Sequence, residues 1–294
     1  MNASAREPVI GIIGGSGIDT LEGLEETRRL SVRTPWGEAS DSLLEGRLGG
    51  VRCLFLPRHG RGHPLPPDSV NYRANIDALK RAGCTDLISL SAVGSLRAEL
   101  PPGHFVIVDQ FIDRTRAREK SFFGPGCVAH VSFGHPVCPR LGDALEAAGR
   151  GLGLPLTRGG TYLVMEGPAF STLAESRLYQ SWGCSVIGMT NMPEATLARE
   201  AELCYATVAM VTDYDCWHPG HDHVSVEMVV QVLRKNAEAA RALLGAVVPA
   251  LGRQRPLCPA GCERALEAAL ITAPAARDAA LVAKLDAVAG RVLG

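Results

Sequence analysis

Two carboxylates one residue apart, Asp213 and Asp215, close the apolar run Ala206-Thr-Val-Ala-Met-Val-Thr212. Residues 208–211 read as a short buried strand bounded by polar residues. Positions two apart on a strand share a face, so the spacing predicts both acids side by side at the strand's C-terminal end. Open parallel α/β sheets gather their ligands at that end. Two close carboxylates resist ionising together, and one keeps or shares a proton. Such a pair both accepts and donates hydrogen bonds. It suits a purine whose amino group donates and whose ring nitrogen must take up a proton before the base can leave. Two plainer readings stand beside this one. One is a solvated acidic loop; the other is a divalent-cation site that clamps a diphosphate, as in nucleotide-sugar transferases.

Other residues point to an anion. Gly14-Gly-Ser16-Gly17 follows the apolar run Val9-Ile-Gly-Ile-Ile13 and offers backbone N–H groups and a hydroxyl. It matches neither a Walker loop nor the GxGxxG dinucleotide fingerprint, and a structural tight turn is the alternative. Arg58-His59-Gly60-Arg61-Gly62-His63 follows another apolar run. Arginine supplies the planar fork that holds phosphate oxygens, and histidine a further donor; a solvated basic loop would look the same. Ser91 and Thr190 follow two more apolar runs. Four strand ends would thus present Ser16, Arg58 with His59, Ser91 and Thr190, the equipment for a free inorganic anion.

These groups need a sheet to position them. Strands are predicted over 9–13, 28–33, 42–48, 51–56, 86–90, 105–108, 161–165, 185–189 and 205–211, with a Gly49-Gly50 hairpin. Helical spacing covers 71–82, 141–152, 173–182, 194–203 and 226–244. The alternation predicts one α/β domain over residues 1–250: three layers, α/β/α, around a central mixed β-sheet. A Pro/Gly/Arg stretch runs from Pro249 to Pro259. Two Ala/Leu-rich helices, 263–271 and 276–292, then form a C-terminal extension, 251–294, expected to pack on the same domain or on a neighbouring subunit.

Bulk properties exclude several classes. The 294 residues carry a net charge of −1, with 46% hydrophobic and 21% charged residues. That balance gives no electrostatic footprint for nucleic acid or an anionic membrane. No apolar stretch approaches a bilayer's thickness, and residues 1–8 lack the layout of a signal peptide. A cytoplasmic location is expected. Of nine cysteines, Cys53, Cys84, Cys184 and Cys204 lie in or beside apolar segments and read as small core residues. Cys258-Pro-Ala-Gly-Cys262 lacks a second ligand pair for zinc. Inert thiols are the expectation there, with a local disulfide as the alternative, and no metal is assigned.

A set of segments in order carries a resemblance over residues 8–250. They are Ile12-Ile-Gly-Gly-Ser-Gly-Ile18, Thr34-Pro-Trp-Gly37, Arg58-His-Gly60, Asn71-Tyr-Arg-Ala-Asn75, Gly94-Ser-Leu-Arg97, Asp109-Gln-Phe-Ile-Asp-Arg-Thr115, Glu166-Gly-Pro-Ala-Phe170, Met189-Thr190 with Pro193-Glu194, and Thr212-Asp-Tyr-Asp-Cys-Trp217. Together they resemble the 5′-methylthioadenosine phosphorylases of the trimeric purine nucleoside phosphorylase class. The tail resembles the longer C-terminus of archaeal and bacterial members.

The resemblance implies a nucleoside phosphorylase-like fold in a homo-oligomer, a trimer or dimer of trimers. It implies a role in purine and methionine salvage, with a nucleoside and inorganic phosphate as small-molecule partners and no cofactor. Ser16, Arg58, His59, Ser91, Ala92 and Thr190 would hold phosphate. Met189 would lie against the ribose and Phe170 would line the base pocket. Asp213 would bridge N7 and the 6-amino group and deliver the proton, while Asp215 would accept from the same amino group. Ser171 stands where phosphorylases for 6-oxopurines carry a Glu. Val226, Val229 and Val230 would face the 5′ methylthio group, and His130 would reach a neighbouring subunit's site. Ser16 and Ser91 replace the Thr of many relatives, Gly188 replaces Asn, and Asn191 replaces Thr. A 6-oxopurine nucleoside phosphorylase is the alternative reading; the acid pair argues against it.

Overall fold

Strands buried on both faces fill the middle of the chain. The computed structural model describes residues 7–18, 21, 23–219, 226–252 and 255–294, with 226–229 described in backbone alone. In order the elements are β1 (Ile10–Gly14), β2 (Glu25–Leu30), β3 (Leu43–Leu48), β4 (Val51–Pro57), α1 (Tyr72–Arg81), β5 (Asp86–Ser95), β6 (Phe105–Ile107), β7 (Gln110–Asp113), α2 (Pro139–Gly151), β8 (Leu156–Arg158), β9 (Thr161–Val164), α3 (Leu173–Ser181), β10 (Val186–Gly188), α4 (Asn191–Glu200), β11 (Cys204–Asp213), α5 (Val226–Gly252), α6 (Ala279–Lys284) and α7 (Asp286–Leu293).

All the strands join one mixed sheet. Its main path is β2-β3-β4-β1-β5-β10-β9-β7, and β11, β6 and β8 branch from β5. Alternation along β11 shows why it is central. Cys204, Ala206, Val208 and Met210 enter one core, and Tyr205, Ala209 and Val211 the other. Helices α2 and α5 cover the first face; α1, α4 and α7 cover the second. This is the expected α/β/α arrangement around a mixed sheet.

One irregularity of the sheet positions the site. On one edge of β5, β1 pairs as far as Ile13 opposite Ser89, and β10 begins with Ile187 opposite Gly94. Between them Leu90–Val93 has no strand neighbour on that edge among the described residues. The parallel strands β1 and β11 flank β5 while β10 meets it antiparallel. The sheet therefore splits where the chain direction changes, the kind of switch point at which α/β sheets bind ligands.

Several boundaries differ from expectation. β5 continues through Ser95 because β11 accompanies it as far as Gly94, although Ser91-Ala-Val-Gly-Ser95 has turn-like composition. β2 lies at Glu25–Leu30, not 28–33, since its register is set by β3. The short strands β7 and β8 add to the expected set, and α5 continues past Leu244 through Pro249 to Gly252. In the tail, no α-helix forms over 263–271. Only a 3₁₀ turn, Cys262–Arg264, precedes irregular chain. So short a segment is marginal as a helix by itself, and tertiary partners claim its backbone. Leu266 N–H donates to Glu202, Ile271 N–H to the Val128 carbonyl, and the Ala269 carbonyl accepts from His130 N–H. The second expected helix divides at the fully buried Leu285 into α6 and α7. Leu266, Ala269, Leu285, Val288 and Ala289 all enter the core beside α1 and α4. Among the described residues no helix is long and apolar enough to cross a membrane.

Candidate active site

A cavity of about 270 Å³ opens at the split. Ser16 reaches it from the end of β1, His59 and His63 from the loop after β4, and Ala92 and Val93 from the unpaired edge of β5, with Gly94 beside them. Met189 and Thr190 come from the end of β10, Asp213 from the end of β11, and Leu233 from α5.

Both acids line this cavity, by a different route from the one expected. A register shift between Val211 and Asp213 ends the ladder in a bulge, and Asp215 lies in the following turn. The pair is thus made by a bulge and a turn, which re-aim side chains at a strand end, and not by simple alternation. Thr212 Oγ1 donates to Asp213 Oδ2 at 2.7 Å. Ser171 Oγ lies 2.9 and 2.8 Å from the two Asp215 oxygens. Ser171 is itself fixed by the start of α3. There Thr172 and Glu175 form a reciprocal capping box, with Thr172 N–H donating to Glu175 at 2.8 Å and Glu175 N–H to Thr172 Oγ1 at 3.2 Å.

Across the cavity stand the hydroxyls. Ser91 Oγ lies 3.1 Å from Thr190 Oγ1 and 2.9 Å from the Tyr162 hydroxyl. Tyr162 accounts for the glycine at 188, since its hydroxyl occupies the place a β-carbon at Gly188 would take. Asn191 braces the region behind the cavity, where its amide donates to Ser89 Oγ at 3.0 Å and to Thr207 Oγ1 at 3.0 Å.

Arg58 is fully buried beneath the Gly14–Gly17 turn and does not line the cavity. Nε and Nη2 donate to the two Glu194 oxygens at 2.8 and 3.1 Å, Nη2 also to Ser89 at 2.6 Å, and Nη1 to the Leu90 carbonyl at 3.1 Å. Burial alone would lower its pKa, but the Glu194 carboxylate outweighs that and holds the guanidinium above its usual value. A β-carbon at Gly15 would meet the Leu90 carbonyl at 2.6 Å, so only glycine lets the turn settle on the exposed edge of β5.

Burial, and then the Arg58 charge, push His59 down to about 3. Its Nδ1 lies 2.8 Å from the Leu65 carbonyl. A carbonyl only accepts, so Nδ1 carries the proton and Nε2 is left as an acceptor. The sequence suggested a donor here; the structure presents a neutral imidazole suited to receive a proton-bearing phosphate oxygen. The His63 ring stacks on it at 4.1 Å.

Of the other expected residues, Ala92, Met189 and Phe170 line the cavity, Phe170 at its exposed mouth. Ser91 and Ser171 stand just behind the lining. Val230 is exposed and outside it, while Leu233, one turn on, lines it. The side chains of Val226 and Val229 lie outside the described residues. His130 is exposed and does not line this chain's cavity. Sequence reading missed Glu194, Tyr162, Ser89 and His63. Glu194 and His63 lay within segments already singled out, but nothing local pairs Glu194 with an arginine 136 residues away.

A family model, the phosphorylase superfamily, matches residues 9–249. The chain belongs to the phosphorylase superfamily. Within that superfamily it is 63% identical over 285 residues to the S-methyl-5′-thioadenosine phosphorylase of Cereibacter sphaeroides, covering 97% of this chain and 98% of the relative. It is 62% identical to the protein of the same name from Rhodospirillum rubrum, over the full length of both. Among solved structures, a methylthioadenosine phosphorylase from an antarctic soil metagenomic library superposes with a TM-score of 0.89 at 44% identity, covering 96% of this chain and 99% of that one. The Schistosoma mansoni methylthioadenosine phosphorylase in complex with adenine gives a TM-score of 0.81 at 40% identity, covering 84% and 93%.

Proposed function

We propose that this chain catalyses phosphorolysis of S-methyl-5′-thioadenosine to adenine and 5-(methylthio)ribose 1-phosphate. The observation that carries this reading is one cavity with an acid pair, Asp213 and Asp215, on one wall and the hydroxyls of Ser16 and Thr190 on another. A phosphate oxygen bonds to C1′ as the C1′–N9 bond breaks. The bonding pair moves into the purine, and Asp213 gives N7 a proton so that adenine leaves neutral. Asp215, held by Ser171, accepts from the 6-amino group. A 6-oxo group at that place would face carboxylate oxygens, a repulsion that disfavours hypoxanthine-type bases.

The anion wall combines Ser16, Thr190, Ser91 behind Thr190 and the open edge at Ala92, with the neutral Arg58–Glu194 pair bracing the turn beneath them. Rate then comes from positioning and from stabilising the departing base. No cofactor or catalytic metal takes part. The apolar lining by Met189 and Leu233 suits the sugar and its methylthio group.

The enzyme is further read as a cytoplasmic homo-oligomer, a trimer or dimer of trimers, serving purine and methionine salvage. Two surface features support assembly. His130 is exposed away from its own cavity, and Leu173, Leu178 and Trp182 expose apolar surface along α3.

The test is phosphate-dependent base release from 5′-methylthioadenosine and 5′-methylthioinosine in parallel, with EDTA present. Fast release of adenine, little hypoxanthine, and no release without phosphate are expected. Faster hypoxanthine release would overturn the substrate assignment, and release abolished by EDTA would overturn metal-free catalysis.

A further inference from the structure

The expectation that Cys258 and Cys262 lack a second ligand pair does not hold. Four cysteines distant in sequence converge at the opposite end of β11 from the cavity. Cys204 opens β11, and Cys138 precedes α2, its N–H donating to the Tyr205 carbonyl at 2.8 Å. That bond sets the two thiols side by side. The tail supplies the others: Gly261 N–H donates to the Cys258 carbonyl at 2.9 Å, closing a turn that brings Cys262 back beside Cys258. All four are buried, and their sulfurs lie within 4.8 Å of one another. Cys138 Sγ and Cys258 Sγ are 3.5 Å apart, and Cys258 Sγ and Cys262 Sγ 3.4 Å.

We propose that Cys138, Cys204, Cys258 and Cys262 form a structural tetrathiolate site for zinc that fastens the C-terminal tail to the phosphorylase domain.

The geometry points to a cation among the sulfurs. Tetrahedral zinc with bonds of about 2.3 Å places its sulfurs about 3.8 Å apart, within the range found here. Four soft ligands and no oxygen or imidazole select zinc over the hard divalent cations. Second contacts suit thiolates as well. The Leu141 amide lies near the Cys138 sulfur and the Cys262 amide near the Cys258 sulfur. Such outer-shell donors orient and stabilise metal ligands. Four thiols binding one Zn²⁺ release four protons to solvent and leave a centre of charge −2. Arg140 and Arg255 stand beside Cys204 and share the Asp86 carboxylate, while Glu263 accepts from the Cys258 N–H at 2.8 Å, so two cations and two carboxylates surround the centre. The Nε–H of Arg140 is buried without a hydrogen-bond partner, as a donor waiting for a negative neighbour would be.

The site serves structure and not turnover. β11 has ten residues, and at a rise of about 3.3 Å per residue its two ends are about 30 Å apart. The ligands are spread across positions 138, 204, 258 and 262, so one ion would close two long loops and hold the segment after α5 against the sheet.

The experiment is elemental analysis of the full-length chain, expressed with zinc and purified under reducing conditions. About one zinc per chain is expected, released stoichiometrically when an organomercurial titrates the thiols. In Cys258→Ser the zinc should fall about tenfold or more, with a lower melting temperature. Adenine release at 25 °C should change by less than about twofold, because the sites are too far apart to couple. Cys53→Ser, which removes a buried thiol outside the cluster, should keep its zinc. Should Cys258→Ser fail to fold, the mercurial titration of the unaltered chain decides alone. Zinc below about a tenth of an equivalent after incubation with Zn²⁺ overturns the proposal. So does iron in zinc's place, or an intact mass four hydrogens light, which would mean two disulfides.

Discussion

At its C-terminal end β11 delivers Thr212 and Asp213 to a cavity whose polar side chains come from β1, β4, β10 and β11 or the loops after them. At its N-terminal end the same strand delivers Cys204 to a cluster closed off by α2 and the tail. The first end departs from regular pairing, with a bulge before Asp213 and a stretch of β5 bare on one edge. The second stays regular, with Cys204 directly opposite Asp86 on β5. The difference teaches where a sheet can hold chemistry. Ligand groups come from the places where the ladder is interrupted, whereas a regular strand start offers only side chains that another segment must cover.

The contrast can be broken or sharpened at the reactive end. Asp213→Asn should lower turnover on 5′-methylthioadenosine about a thousandfold, the scale of a lost general acid, and raise relative activity on 5′-methylthioinosine. An unchanged preference between the two nucleosides would remove Asp213 from its role. Glu194→Ala should destabilise the fold by about 3 kcal/mol or more, because it leaves the fully buried Arg58 without its counter-ion. Denaturant unfolding would measure that loss, and KM for phosphate should rise with it. If stability falls but phosphate KM does not move, the network beneath the site is scaffold alone.

A smaller effect follows from His59. Its folded pKa of about 3 lies below the ordinary value of 6.5, so above pH 6.5 neither the folded nor the unfolded imidazole is charged. As pH falls through that window the unfolded chain takes up a proton that the folded chain refuses, and stability is lost. The loss from this residue reaches about 2 kcal/mol at pH 5. Unfolding midpoints from pH 8 to pH 5 should therefore decline less steeply in His59→Gln than in the unaltered protein.

Much of this was legible in the sequence where the signal is local. The apolar runs before Ser16, Arg58, Thr190 and Asp213 located strands β1, β4, β10 and β11, and with them most of the polar lining of the cavity. β5 was cut short because Ser91-Ala-Val-Gly-Ser95 carries a turn's composition, while its strand geometry comes from β11 alongside. The tail reads as helix by propensity alone, which takes no account of the partners at Val128 and Glu202 that claim its backbone groups. Pairings across long separations left no trace at all. Neither Arg58 with Glu194 nor Cys138 and Cys204 with Cys258 can be inferred from spacing, since only the folded sheet sets them side by side.

The bare edge of β5 has a consequence for how the protein responds to its own ligands. A strand in the heart of a sheet normally has its amides locked on both sides, yet at Ala92 and Val93 one side faces a cavity. An anion seated there, as the proposed reaction requires, would act as the missing rung and make the sheet continuous only while the reaction is under way. Amides on that edge should therefore exchange with deuterium quickly for so central a position and slow sharply when phosphate is added, so that part of the fold's rigidity is borrowed from the reactant.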